Sequence, residues 1–260
     1  MRSLHKFFII TYLVSWTFFG AASIVTNLQG PLFFLGAISP SFVALSLTGF
    51  KDGRAGIRAL TKGMSQWPAQ ARWYVFAIGY MAAIKLSAAL LHRLVSGEWP
   101  QFGQEPLYIM ALAIVVSTPV QAGEEIGWRA FALPRLASRL GLGWAGIVLG
   151  VIWACWHLPL FFIPNTDSFG QSFPVYLINV TAISIAMTWL YWRTNQSLLL
   201  VMLLHASINN TTGIVPGNMP EASPLSIHTT PVGWFTVALL WICAVYFLIQ
   251  MRQKALRLPN

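Results

Sequence analysis

Two adjacent glutamates, Glu124 and Glu125, are the densest chemical feature of this sequence, since the whole chain has only seven acidic residues. Arg129 comes four positions after Glu125. Neighbouring helix positions point in different directions, whereas positions four apart lie on one face and can pair. We therefore predict that Arg129 holds Glu125 and leaves Glu124 to face a cavity as a general base. The alternative is an interfacial charge cluster at a helix end.

Two histidines also stand inside apolar sequence. His157 ends the aromatic stretch that begins at Trp153, and Asn209 follows His205 by four positions, which places that pair on one helix face. An ionisable residue at mid-bilayer costs at least about 2.5 to 3.5 kcal/mol, so each is a candidate for function. A lone membrane histidine is more often a packing residue. The case for chemistry therefore rests on both histidines together with the carboxylate pair and the asparagine.

The composition around these residues is that of a membrane protein. Of the 260 residues, 56% are hydrophobic and only 9% are charged, and the mean hydropathy is +0.63. A water-exposed globular surface would not tolerate this balance. We predict an all-α, polytopic membrane protein with a single membrane domain over residues 1–260 and a polar intramembrane cavity.

Apolar segments of spanning length recur along the whole chain. A helix needs about 20 mainly apolar residues to cross a bilayer. We predict about eight transmembrane helices. They run approximately over Phe7–Leu28, Leu32–Phe50, Trp73–His92, Leu107–Ala122, Gly143–Ile163, Val175–Trp192, Ser197–Gly213 and Val232–Met251.

The basic residues indicate how these helices are oriented. Most of the 16 Lys and Arg residues fall before the first predicted helix, in alternate loops, or after the last helix. Positively charged loops remain cytoplasmic, so both termini are predicted to be cytoplasmic. The start could also be a signal peptide, but its apolar run is long and lacks a clear cleavage site, so we expect the first span to be retained. The connection Lys51–Arg72 has the composition of an amphipathic helix on the inner leaflet.

Other uses of the charges and cysteines find little support. The net charge of +9 is spread over short loops rather than gathered in a stripe with interleaved aromatics, so no nucleic-acid partner is expected. Cys155 and Cys243 lie in apolar segments, where thiols usually behave as small hydrophobes, and their spacing carries no disulfide or metal signature.

Together the polar groups resemble the motifs of the CPBP family, the CAAX-protease and bacteriocin-processing (Abi) intramembrane endopeptidases. That family has the pattern EExxxR, then FxxxH, then HxxxN or HxxxD. The matches occur in this order on separate apolar segments, and the resemblance covers a predicted catalytic core at residues 107–213. One departure is visible, because Trp153 stands where the family usually has Phe. The matching residues are Glu124, Glu125, Arg129, His157, His205 and Asn209.

The resemblance implies an activity and a division of roles. Glu124 and His157 would activate a water molecule for attack on a peptide carbonyl, and His205 and Asn209 would bind the oxyanion. Glu125, Arg129 and Trp153 would support them. The implied partners are membrane lipid and a peptide or lipidated protein substrate. The resemblance favours a glutamate mechanism without a cofactor; zinc is the alternative, since the same side chains offer nitrogen and oxygen ligands.

Two other functions remain open from the sequence. Glu124, His157 and His205 could form a proton or ion relay in a transporter, to which Lys85 could contribute. Lys85 has a plain structural explanation as well, because a lysine at a helix interface is ordinary. The third possibility is a non-catalytic membrane immunity protein.

Overall fold

The computed structural model describes residues 2–217 and 223–255, and over these ranges the chain is helical with no β-strand. The all-α prediction is therefore confirmed. Ten α-helices are numbered here in chain order, with a π-helix between the fifth and sixth. They are α1 Arg2–Ile24, α2 Gln29–Thr61, α3 Ala71–Ser96, α4 Leu107–Ser117, α5 Ala122–Glu125, the π-helix Ile126–Ala132, α6 Leu133–Leu140, α7 Leu142–Trp156, α8 Phe173–Arg193, α9 Leu198–Thr211 and α10 Pro231–Ala255.

The number of long spans is smaller than the eight predicted. Within the described residues, six helices are long and apolar enough to cross a membrane, and a bent pair, Leu107–Ser117 and Pro119–Leu140, adds a seventh if it counts as one span. The pair bends by 41° at Pro119, where the missing N–H and the ring prevent a straight helix. The chain is an integral, multi-pass membrane protein.

The seventh predicted segment is a helix, but a short one. Helix α9 has 14 residues, which at 1.5 Å per residue gives about 21 Å, less than the roughly 30 Å of a hydrocarbon core. Ser197 caps its start by accepting from Leu200 N. Most of its side chains are buried, so α9 lies inside the protein rather than against lipid.

Helix α2 meets the glutamate-bearing segment at very close range. A Cβ at Gly127 would lie 2.6 Å from the carbonyl of Pro40, and one at Gly123 would lie 2.8 Å from Ile38. Ser41 Oγ donates to Ala122 O at 2.6 Å and accepts from Gly127 N at 3.2 Å. Small residues allow this close approach. The hydroxyl of Ser41 forms hydrogen bonds with backbone groups that the irregular helix leaves without a helical partner.

Helix α7 is fixed against α8 in a similar way. Cβ atoms at Gly146 and Gly150 would meet Thr188 and Thr181 at 3.0 and 2.8 Å. Ser184 Oγ donates to Gly146 O at 3.0 Å. This contact aligns the two helices and sets the position of the end of α7, where His157 lies.

The connection after the second span contains the predicted helix. Gly53 has φ 62° and ψ −155°, a conformation that breaks α2 and gives the residues up to Thr61 a new direction. A short 3-10 helix, Lys62–Ser65, follows. The position of the connection Lys51–Arg72 on the inner leaflet stays a prediction. Arg257, one of the basic residues that follow the last predicted helix, lies outside the described residues, as does Glu221.

Candidate active site

The predicted pair between Glu125 and Arg129 is present. Arg129 donates from one terminal guanidinium nitrogen to Glu125 Oε1 at 3.1 Å, and both side chains are fully buried. The other terminal nitrogen lies 3.1 Å from Met187 Sδ, and the guanidinium carbon is 4.2 Å from the centre of the Trp153 ring. The arginine therefore lies in a pocket made by three helices.

The local fold around these residues departs from a regular helix. The short α5 ends at Glu125, and the next seven residues, Ile126–Ala132, form a π-helix. Such segments are rare and frequently occur at functional sites. This π-helix carries both Gly127 and Arg129. Gly127 lies on the side that contacts α2, and Arg129 lies on the opposite side.

Glu124 is held by Trp153. The indole Nε1 donates to Glu124 Oε2 at 2.8 Å. Trp153 is buried on α7, whereas Glu124 is partly exposed. Glu124 and Glu125 thus have different partners, as the prediction from helix geometry required.

His157 occupies the C-cap position of α7. Its Nδ1 lies 2.9 Å from Trp153 O. A carbonyl only accepts, so Nδ1 carries the proton and Nε2 of the neutral ring is left as an acceptor. The ring packs edge-on against Trp156 and Tyr176, with centroids 4.6 and 5.5 Å apart.

His205 lies on α9 and is 3% exposed. Its Nδ1 is 2.7 Å from Glu125 Oε1, the oxygen that also accepts from Arg129. Its ring contacts Trp153 edge-on at 5.2 Å. Because Glu125 is paired with a guanidinium and is therefore ionised, Nδ1 must donate.

The structure brings most of the predicted residues together. Trp153 contacts Glu124, His157, Arg129 and His205. Asn209 is different: it is exposed on α9, one turn beyond His205, and forms no hydrogen bond to another described residue. Its role stays a prediction.

One residue at the site was missed by the sequence analysis. Tyr176, near the start of α8, packs its ring against His157 and Phe161, and the charge of Glu124 acts on its phenol. A tyrosine in an apolar segment does not by itself indicate a functional site, because its side chain is common both in protein cores and at membrane interfaces.

The geometry for a metal site is a separate question. Over the described residues, no three His, Cys, Asp or Glu side chains lie close enough together to hold one ion. Glu125 Oε1 is already shared by Arg129 and His205. A zinc ion at this site would therefore be bound by at most two of these side chains, and groups such as water would complete its coordination.

Comparison with known proteins gives two results. Residues 104–211 match the family described as Type II CAAX prenyl endopeptidase Rce1-like. Over 92 residues the chain is 34% identical to a CAAX prenyl protease 2 of Methanococcus maripaludis, and this match covers 33% of the chain and 34% of that protein. The chain thus matches about a third of the length of this curated relative. The matched segment contains all three motifs, and the family resemblance is confirmed.

Proposed function

From the match of residues 104–211 to the Rce1-like CAAX prenyl endopeptidases, we propose that the chain is an intramembrane endopeptidase of CAAX type. One observation carries the proposal. Trp153 hydrogen-bonds Glu124 through its indole and His157 through its main-chain carbonyl, so one residue holds a carboxylate and an imidazole from two different helices. Activation of one water molecule needs a base and a second polar group placed in this way.

Glu124 acts as the base in this scheme. Its Oε2 is engaged by the indole of Trp153, which leaves Oε1 for water. The carboxylate takes a proton as the water oxygen bonds to the peptide carbonyl carbon, and His157 Nε2 accepts a hydrogen bond from the same water. The C–N bond then breaks as Glu124 returns its proton to the leaving nitrogen.

His205 and Asn209 stabilise the charge that develops on the carbonyl oxygen. Because His205 Nδ1 donates to Glu125, its Nε2 can donate to an oxyanion only when the ring is an imidazolium. The buried carboxylate of Glu125 stabilises that form. The amide of Asn209, one turn further along α9, supplies a second donor.

The substrate is a membrane-associated or lipidated peptide. The names of the matched family and relative refer to prenyl substrates, and a C-terminal Cys-a-a-X sequence is the signal for prenylation. We infer cleavage on the carboxyl side of the lipidated cysteine. Both termini lie in the cytoplasm in this proposal, which tags at each end tested for protease access in intact and opened cells would check.

Cleavage of a defined peptide tests the proposal. The purified protein is mixed with a farnesylated Cys-a-a-X peptide that carries a fluorophore and a quencher on opposite sides of the scissile bond. We expect cleavage by the native protein and none by Glu124→Gln or His157→Ala, with the thermal unfolding temperature unchanged. Full cleavage by Glu124→Gln would overturn the mechanism. Proton flux into proteoliposomes without cleavage would favour a transporter instead.

The same assay decides between the glutamate and zinc alternatives. The protein is treated with a chelator, freed of metal and analysed for residual zinc before cleavage is measured. A glutamate mechanism predicts full activity in the metal-free protein. Loss of activity that zinc restores would contradict it.

A further inference from the structure

The indole N–H of Trp153 donates a hydrogen bond that the phenylalanine usual at this position cannot form. We infer that Trp153 is a positioning residue, whose N–H fixes the Glu124 carboxylate for proton transfer. The inference rests on the proposed function and adds a residue to it. Trp153 is 4% exposed, and its Nε1 lies 2.8 Å from Glu124 Oε2.

The ring and the N–H of Trp153 have separable contacts. The face of the ring receives the guanidinium of Arg129 at 4.2 Å, and the ring forms T-shaped contacts with His205 and His157 at centroid distances of 5.2 and 5.7 Å. A phenyl ring retains an aromatic face and edge for these contacts. Only the hydrogen bond to Glu124 requires an indole.

The main-chain carbonyl of Trp153 adds to this role. It accepts from His157 Nδ1 at 2.9 Å, which directs the free Nε2 of that ring away from the helix end. One residue therefore orients both groups that handle the water, through its side chain and its backbone. Substitution of the side chain removes the first of these contacts and leaves the second.

Loss of the N–H removes the contact that orients the Glu124 carboxylate. Misplacement of a reacting group by about 1 Å can cost on the order of 10²-fold in rate. The expected result is a slower reaction.

The variant Trp153→Phe tests the inference, because it restores the residue usual in the resembling family. We expect kcat to fall by about tenfold, the loss of one hydrogen bond to a charged group, while KM changes by less than about twofold. Trp241→Phe is the matched control. It also removes an indole donor, which reaches Ile178 O at 3.2 Å, and we expect its kcat to equal that of the native protein.

A double-mutant cycle separates positioning from a structural effect. Glu124→Asp shortens the carboxylate and withdraws it from the indole, so adding Trp153→Phe should then cost less than about twofold in kcat. Equal costs in both backgrounds, or a native-like kcat in Trp153→Phe, would overturn the inference. No cleavage by the native protein would instead refute the proposed function.

Discussion

Glu125 Oε1 and His205 Nδ1, 80 positions apart in sequence, lie 2.7 Å apart in the interior of the protein. The same oxygen accepts from Arg129 at 3.1 Å. A single carboxylate thus joins Arg129 of the π-helix to His205 of α9, so its replacement would affect both the packing of these segments and the proposed oxyanion site.

Replacing Glu125 should therefore damage stability and activity together. In Glu125→Gln the guanidinium of Arg129 stays fully buried without its counter-charge, a change that costs about 3–5 kcal/mol in buried pairs. We expect a clear fall in the thermal unfolding temperature and loss of peptide cleavage. Arg54→Gln, at an exposed position, is the control and should change neither. Native-like unfolding of Glu125→Gln would show that the ion pair contributes little.

The close approach of Gly127 to α2 gives a second prediction. A methyl group at this position would lie 2.6 Å from the carbonyl of Pro40, so the two helices must separate or the π-helix must shift. We expect Gly127→Ala to reduce cleavage strongly, since Glu124 and Arg129 move with the segment, and to lower the unfolding temperature.

Gly79→Ala is the matched control for this substitution. Apart from its chain neighbours and the backbone of its own helix, no atom of the described residues lies within 4 Å of a Cβ built there, and alanine is favoured over glycine in a helix. Its unfolding temperature should be equal to or slightly above that of the native protein. If Gly127→Ala and Gly79→Ala cleave the peptide equally and unfold at the same temperature, the close contact between Gly127 and Pro40 does not affect function.

Much of this arrangement follows from helical spacing in the sequence. The pairing of Glu125 with Arg129 needed only the i,i+4 rule, and the all-α membrane fold needed only composition. The contact of Trp153 with Glu124 could not be predicted, because it joins two helices whose positions depend on other partners: α8 for the helix with Trp153, and α2 for the helix with Glu124. The bend at Pro119 has a local cause, the proline itself, and could have been predicted. The π-helix was missed for a reason related to that of the Trp153 contact. Local irregularity of this kind depends on what packs against the segment, here Ser41 and Pro40 of α2.

Tyr176 offers a third prediction, on a residue that no motif indicated. Its phenol lies within electrostatic reach of Glu124, and its ring packs on His157. Tyr176→Phe keeps the ring contact and removes the hydroxyl. We expect kcat to fall by roughly 2- to 10-fold, the cost of one hydrogen bond of about 0.5–1.5 kcal/mol, which we assign to the hydroxyl in the substrate complex. Tyr108→Phe, at a position 72% exposed, should leave kcat unchanged. Equal rates for both variants would exclude the Tyr176 hydroxyl from the reaction.

Asn209 and Asn210 give the sharpest comparison, because adjacent residues of the same type have different surroundings. Asn210 Nδ2 donates to Ser117 Oγ at 3.0 Å and to Ala206 O at 2.8 Å, which ties α9 to α4. Asn209 is exposed and forms no hydrogen bond to the described part of the chain. We expect Asn209→Ala to leave the unfolding temperature unchanged and to lower kcat by about 10²- to 10³-fold, the cost of one oxyanion donor. Asn210→Ala should lower the unfolding temperature and affect kcat less. The reverse pattern, with Asn209→Ala fully active, would remove the asparagine from the oxyanion site and leave that task to His205.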